Sequence, residues 1–354
     1  MTTPLPPFDA VLLLSFGGPE GPDDVMPFLE NVTRGRRVPR ERLEVVARQY
    51  LAFGGRSPIN DECRRLVAAL EDEFARRGPR LPVYWGNRNW APLLSDTMAT
   101  MARDGVRRAV AVTTSAYSSY SACRQYLEDV ERARAAVGPA APLVEKLPPY
   151  WNNAGFIETM IANARTAIAA LAALGGGTEA DRASVSTGGG DVAAPLARLV
   201  FTAHSLPMSM SSGCDYVAQL REASSLVAAG AAPDLEWDLV YQSRSGPPSQ
   251  PWLEPDVGDH LRALHAAGTR RVVLVPIGFT ADHMEVLYDL DTLARGVADS
   301  LGMTMTRAAC VGAAPLFVAG LRDLVAAHVE GRRAPVLGAL GPRPSPCAPA
   351  CCPA

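Results

Sequence analysis

The chain has 354 residues, 48% hydrophobic and 20% charged, which suits a globular protein of about two domains and excludes a small disulfide- or metal-stapled module. Its 34 basic and 37 acidic residues leave a net charge of -3, so there is no broad electrostatic footprint for nucleic acid or an anionic membrane, and a small or neutral partner is expected. Seven cysteines, an odd number, argue for single thiols or metal ligands over a disulfide framework. No uninterrupted apolar run reaches the ~18 to 20 residues of a bilayer span, and Met1 to Asp9 lacks a signal core. No transmembrane segment and a cytoplasmic location are the expectations.

Taken in chain order, Ala10 to Phe16 (AVLLLSF) reads as a strand buried on both faces that stops at Gly17-Gly18-Pro19. Similar runs recur at Val83 to Trp85, Ala109 to Thr113, Leu199 to Ala203, Leu239 to Tyr241 and Val272 to Ile277. Helical spacing occupies Asp61 to Arg77, Pro92 to Arg103, Ala154 to Leu174, Tyr216 to Ala229 and Asp256 to Ala267. Strands alternating with helices predict parallel α/β sheets covered on both faces. The boundary is expected near Pro148 to Trp151, dividing the chain into 1-150, 151-330 and a Pro- and Gly-rich tail, 331-354. The polar, Gly-rich segment 175-195 reads as a disordered insertion.

In the first half, Thr33-Arg34-Gly35-Arg36-Arg37, Tyr50, Phe53 to Pro58 and Gly86 to Trp90 interleave aromatic residues with Arg, Ser and Tyr donors. That mixture suits a flat apolar ligand with carboxylates at its rim, although each piece alone also fits a solvated surface. Ser115 to Tyr126 (SAYSSYSACRQY) follows a strand and is either a cleft-facing segment or an ordinary polar loop. In the second half a buried strand runs into His204-Ser205-Leu206-Pro207, placing His204 at a strand's carboxyl end, where open α/β sheets bind ligands. The alternative is a histidine that caps local backbone. Val272 to Ile277 ends the same way, and Glu285 and Asp289 follow at i and i+4 on one helix face, either a cation and proton route or a solvated acidic face. His283 points elsewhere and reads as structural. One histidine and one carboxylate cannot close a zinc site but suit Fe(II) in transit. No GxxxxGK[ST], GxGxxG or GxSxG occurs.

LLLSFGGPE, FGGRSPIN, FTAHSLP, YQSRSGPPSQPWLEPD and PIGFTADHMEVLYDLD, in this order between about Asp9 and Val329, resemble the ferrochelatase family. SAYSSYSACRQY and YQSRSGPP are most similar to its actinobacterial, coproporphyrin III-using branch. The resemblance implies two Rossmann-like lobes around a cleft, with a terminal helix near Pro315 to Val329 packed on the first lobe. It also implies an enzyme that inserts Fe2+ into coproporphyrin III to give coproheme, the alternatives being a protoporphyrin IX ferrochelatase or a non-catalytic porphyrin carrier. It implies His204 as base and iron ligand, Glu285 as its carboxylate partner, Asp289 as an outer station, and Arg34, Tyr50, Ser57 and Tyr126 as porphyrin rim contacts. Transient contact with other heme-pathway enzymes follows from the same resemblance. It further implies a [2Fe-2S] cluster on Cys347, Cys351, Cys352 and Cys123, with Cys214 as the alternative fourth ligand. Cys63 and Cys310 remain ordinary thiols. Three positions depart from the family pattern: Phe16 where many coproporphyrin-type relatives carry an iron-ligating tyrosine, Thr33 for an arginine, and Leu293 for an acidic residue.

Overall fold

The computed structural model describes residues 7-35, 38-174, 197-247, 249-344 and 351-353. The expected insertion 175-195 and Cys347 lie outside them.

The first half carries strands β1 (Ala10–Ser15), β2 (Val83–Asn87), β3 (Arg108–Thr113) and β4 (Leu143–Lys146) in the order β2-β1-β3-β4. The second carries β5 (Arg198–His204), β6 (Trp237–Gln242), β7 (Arg271–Val275) and β8 (Thr304–Arg307) in the order β6-β5-β7-β8. Every pairing is parallel. β1 and β5 therefore occupy equivalent places, each flanked by the strands that follow it on opposite sides. The crevice beyond such a strand's carboxyl end is the switch point where α/β sheets bind ligands. All six β1 residues are buried, and each of its leucines contributes roughly 2 kcal/mol over an exposed one.

Helices α1 (Val25–Val32), α2 (Arg40–Ala52), α3 (Ile59–Arg77), α4 (Leu94–Arg103) and α5 (Gln125–Val137) surround the first sheet. Around the second lie α6 (Ala154–Leu174), α7 (Tyr216–Ala231), α8 (Val257–Ala266), α9 (Arg295–Ser300) and α10 (Pro315–Val329). Helix α6 has 21 residues and a mean hydropathy of 1.3, long and apolar enough to cross a membrane. It packs here as a core helix against α7, α10, β7 and β8, with Phe156, Met160, Ala164 and Leu171 turned inward. Glu158 and Arg165 interrupt its apolar run.

The strands and helices expected from the sequence appear within a few residues of their anticipated limits, and α10 is in contact with α3. Helices α1, α2 and α5 and strand β8 carry no comparable sequence signal. α2 (RERLEVVARQYLA) buries only Leu43 and Ala47, and β8 is a four-residue strand with alternating threonines.

One hydrophobic cluster runs through both lobes, from Val11, Leu13, Val110 and Val112 past Trp151 and Phe317 to Phe201 and Val273. SAYSSYSACRQY forms a buried seam between them: the Tyr117 hydroxyl donates to Ile277 O at 2.8 Å, and Ser118 N donates to Gln219 Oε1 at 2.7 Å. Gln219 Nε2 returns a bond to Ser118 Oγ at 2.7 Å. Because these groups are dehydrated, a lobe rotation that broke them would leave unpaired donors, so the seam holds the cleft's shape.

Candidate active site

His204 is the last residue of β5, at the switch point of the second sheet. Its Nδ1 lies 2.6 Å from Ser205 O. A carbonyl only accepts, so Nδ1 carries the proton and Nε2 presents a lone pair. That Nε2 is 3.5 Å from Glu285 Oε2, with the two side chains 32% and 50% exposed, so both remain open to the cleft. From behind, the Tyr216 hydroxyl donates to His204 O at 3.0 Å.

Glu285 is delivered by the loop after β7. That loop crosses the end of β5 at Gly278, where a Cβ would lie 2.6 Å from that of Ala203, so any side chain there would push the loop away. The His283 ring accepts from Glu285 N through Nδ1 at 3.2 Å, which confirms its structural part, and Gln242 at the end of β6 donates to Glu285 O at 3.1 Å. Burial, then the neighbouring His204, pushes the His283 imidazole below its ordinary range despite the Glu285 charge.

The chain then widens into a π-helix, Leu287–Ala294. Asp289 accepts a hydrogen bond from Ser243. Burial pushes its carboxyl up to about 6, against that bond and with the help of the Glu285 charge. Ser243 sits at φ +63, a left-handed conformation costly for a non-glycine residue, and such strain gathers at functional sites. The far side of this segment is clamped by Arg307, which meets Asp282 at 3.1 Å and Asp291 at 2.7 Å. Ser243, Gln242, Tyr216 and Arg307 escape sequence reasoning; only YQSRSGPP, which contains two of them, stands out as a motif.

Across the cleft, Tyr50 is half-buried, and burial followed by the Glu285 charge pushes its phenol far above the ordinary range, so it stays a neutral donor facing that carboxylate. Phe53 meets Tyr288 edge-on at 6.5 Å. Phe28 gathers the first-lobe aromatics, with Phe16 at 6.2 Å, Tyr50 at 5.9 Å and Trp90 at 6.1 Å. Phe16 is 38% exposed beyond the end of β1, and its ring has no atom that could ligate iron. Arg34 is exposed just after α1. Ser57 and Tyr126 are buried, Tyr126 under the Arg88 guanidinium, 4.9 Å from its ring centre. Arg88 is itself paired with Asp129 at 2.8 Å.

Among the described residues no group of three or more His, Cys, Asp and Glu side chains encloses a cation. His204 and Glu285 thus form an open pair of one nitrogen and one oxygen donor that leaves most of any cation's coordination positions free.

A second gathering of chemistry lies behind α7. Cys123, in a π-helical turn (Tyr120–Arg124), is hydrogen-bonded by Cys352, whose Sγ is 3.6 Å from that of Cys351. Cys214 stands close enough that both Cys123 and Cys351 act on its thiol. Cys123 is drawn down to about 6, first by the Cys352 bond, then, against burial, by Lys146 and Arg343. Cys63 and Cys310 lie apart, their thiols pushed up by burial.

The ferrochelatase family model matches residues 8-329. A coproporphyrin III ferrochelatase of Streptomyces coelicolor is 48% identical over 98% of this chain and 94% of its own length. One from Mycolicibacterium smegmatis is 49% identical over 97% of this chain and 99% of its own, and a Rhodopirellula baltica ferrochelatase is 48% identical over 98% and 94%. A multi-domain Deinococcus radiodurans protein, described as structurally similar to chelatases, superposes with a TM-score of 0.51 at 14% identity, covering 93% of this chain and 56% of that one. The open His204–Glu285 pair, the two parallel sheets and this agreement along nearly the whole chain lead to one conclusion: the chain belongs to the ferrochelatase family of metal chelatases.

Proposed function

We propose that the chain inserts Fe(II) into coproporphyrin III to give coproheme. The observation that carries this is the approach of His204 Nε2 to Glu285 Oε2, 3.5 Å apart at the open end of β5. The choice of porphyrin rests on the Streptomyces and Mycolicibacterium relatives. The proposed division of labour follows the chain: 1-150 for rim contacts, 151-330 for the metal pair, 331-354 for the cysteine-bearing tail. A cytoplasmic location fits thiols that are free among the described residues.

Metalation exchanges Fe2+ for two pyrrole N–H protons. With Nδ1–H held by Ser205 O, the His204 Nε2 lone pair is free to accept one of them. Glu285 receives the ion. Asp289, about 6, sits on the same segment as a station that takes up and releases protons near neutrality. Arg34 and the Tyr50, Ser57 and Tyr126 hydroxyls are the proposed rim contacts; the burial of Ser57 and Tyr126 restricts them to what the cleft floor exposes. An anaerobic assay with coproporphyrin III beside protoporphyrin IX tests the substrate. Preference for coproporphyrin III supports the reading, equal or reversed rates make it a protoporphyrin enzyme, and binding without turnover makes it a carrier.

We also propose that Cys123, Cys351 and Cys352, with Cys347, hold a [2Fe-2S] cluster, with Cys214 as the alternative to Cys123. What supports this reading is that Cys352 reaches Cys123 and lies 3.6 Å from Cys351, beside the cationic Lys146 and Arg343, while among the described residues no three thiols yet form a closed metal-holding group. When bound, such a group supplies one-electron redox chemistry; metalation itself transfers no electron, so no step runs through it. Anaerobically purified protein should show absorption between about 300 and 600 nm with equimolar iron and sulfide. Colourless protein without either would refute the cluster.

A further inference from the structure

Beyond α10 the chain turns back along the outer face of α7. Leu337 N donates to Asn152 O at 2.9 Å, and Asn152 Nδ2 donates to Gly341 O at 3.0 Å. Between these, the tail bends around one carboxylate. Ala339 N and Leu340 N donate to Glu222 Oε1 at 2.6 and 2.7 Å, while the buried Trp151 donates its indole N–H to Glu222 Oε2 at 3.0 Å. Successive backbone N–H groups converging on one anion form a nest, and such charge-assisted bonds are about twice as strong as neutral ones. Gly338 makes the bend possible: it lies at φ +79, and a Cβ there would fall 2.4 Å from Glu222 Cδ.

Farther along, Arg343 pairs with Asp215, the residue preceding α7, and Pro353 packs on Gly213. Cys352, 1% exposed, thereby meets Cys123. The tail is thus held by thiols at its end and, before them, by contacts that contain no sulfur, of which the Glu222 nest gathers the most hydrogen bonds on one group. These are independent of the redox and metal state of the sulfurs.

We propose that Glu222 and the Gly338–Leu340 turn form a carboxylate latch that docks the C-terminal tail on α7 and so presents Cys351 and Cys352 to Cys123 before any metal arrives. Glu222 is a positioning residue for the thiol site. The inference goes beyond the metalation reading and holds whether or not the thiols carry iron, so its failure would leave that reading untouched.

Full-length, iron-free protein tests it through two readings that do not involve turnover: hydrogen exchange of the Ala339 and Leu340 amides, and the rate at which iodoacetamide alkylates Cys352. Glu222→Ala is expected to speed both by at least about tenfold, the equivalent of losing a charge-assisted pair of bonds. Gly338→Ala should reproduce this, because the turn then has no room to close. Glu222→Gln should fall between, since its carbonyl still accepts the two amides while its NH2 confronts the Trp151 indole. Gly338→Ala lies outside every helix and strand, so it keeps the test alive if Glu222→Ala misfolds. Tail amides and Cys352 as protected in Gly338→Ala as in the parent would overturn the latch. So would a parent protein unprotected until iron and sulfide are supplied.

Discussion

At the scale of single residues, Asp289 is the acidic group whose titration falls closest to neutral pH within the site. Its carboxyl sits at about 6 because burial, helped by the Glu285 charge, outweighs the Ser243 hydrogen bond. The group is therefore neutral below about 6 and anionic above it. If Asp289 borders the ion's path as proposed, its anion attracts Fe(II), so the KM for Fe(II) should fall as pH rises through about 6, whereas in Asp289→Asn that fall should be lost. Measured KM profiles decide it, and parallel profiles would remove Asp289 from the path. For stability the sign is opposite: the folded state holds this proton more tightly than the unfolded one, so the contribution favours the fold at low pH and is lost as pH climbs through about 6. His204 and Glu285 were legible because each follows a buried strand in a short motif. Ser243 is not, since a serine carries no sequence mark of a left-handed φ or of a bond to Asp289, 46 residues away.

At the scale of elements, both π-helical stretches coincide with candidate chemistry: Leu287–Ala294 carries Asp289, and Tyr120–Arg124 carries Cys123. A widened turn is less stable than an α-helical one and needs outside support. For the first stretch that support is Arg307, its side chain 13% exposed, spanning Asp282 and Asp291 on either side of Glu285. Arg307→Met should cost on the order of 2 kcal/mol, less than the 3 to 5 of a fully buried pair because both carboxylates keep some water. It should also raise the KM for Fe(II) more than it lowers kcat, because it loosens Glu285 without touching His204. Urea unfolding and Fe(II) saturation curves test both; wild-type saturation would show that Arg307 braces the fold alone. Amphipathic spacing revealed the long core helices, but a π-helix has no such periodicity, and Arg307 acts from a different strand, where no local pattern points to its partners.

At the scale of the whole molecule, alternating buried strands and helices made the paired parallel sheets legible. The cleft was less so, because what holds it open is a shared core and the Tyr117, Ser118 and Gln219 seam, pairings more than a hundred residues apart. SAYSSYSACRQY read as either a cleft lining or a loop; it is a fastening between lobes. The seam ties the two lobes together, and Tyr50 and Phe53 of the first lobe stand near Glu285 and Tyr288 of the second. The central claim is that this pair performs metalation. The most direct measurement is single-turnover, anaerobic metalation of coproporphyrin III by the parent and by His204→Ala, with porphyrin binding followed separately by fluorescence. His204→Ala should bind the porphyrin within a few-fold of the parent but metalate it at least about 100-fold more slowly, the lower range for losing a general base. Metalation at the parent rate in His204→Ala would contradict it.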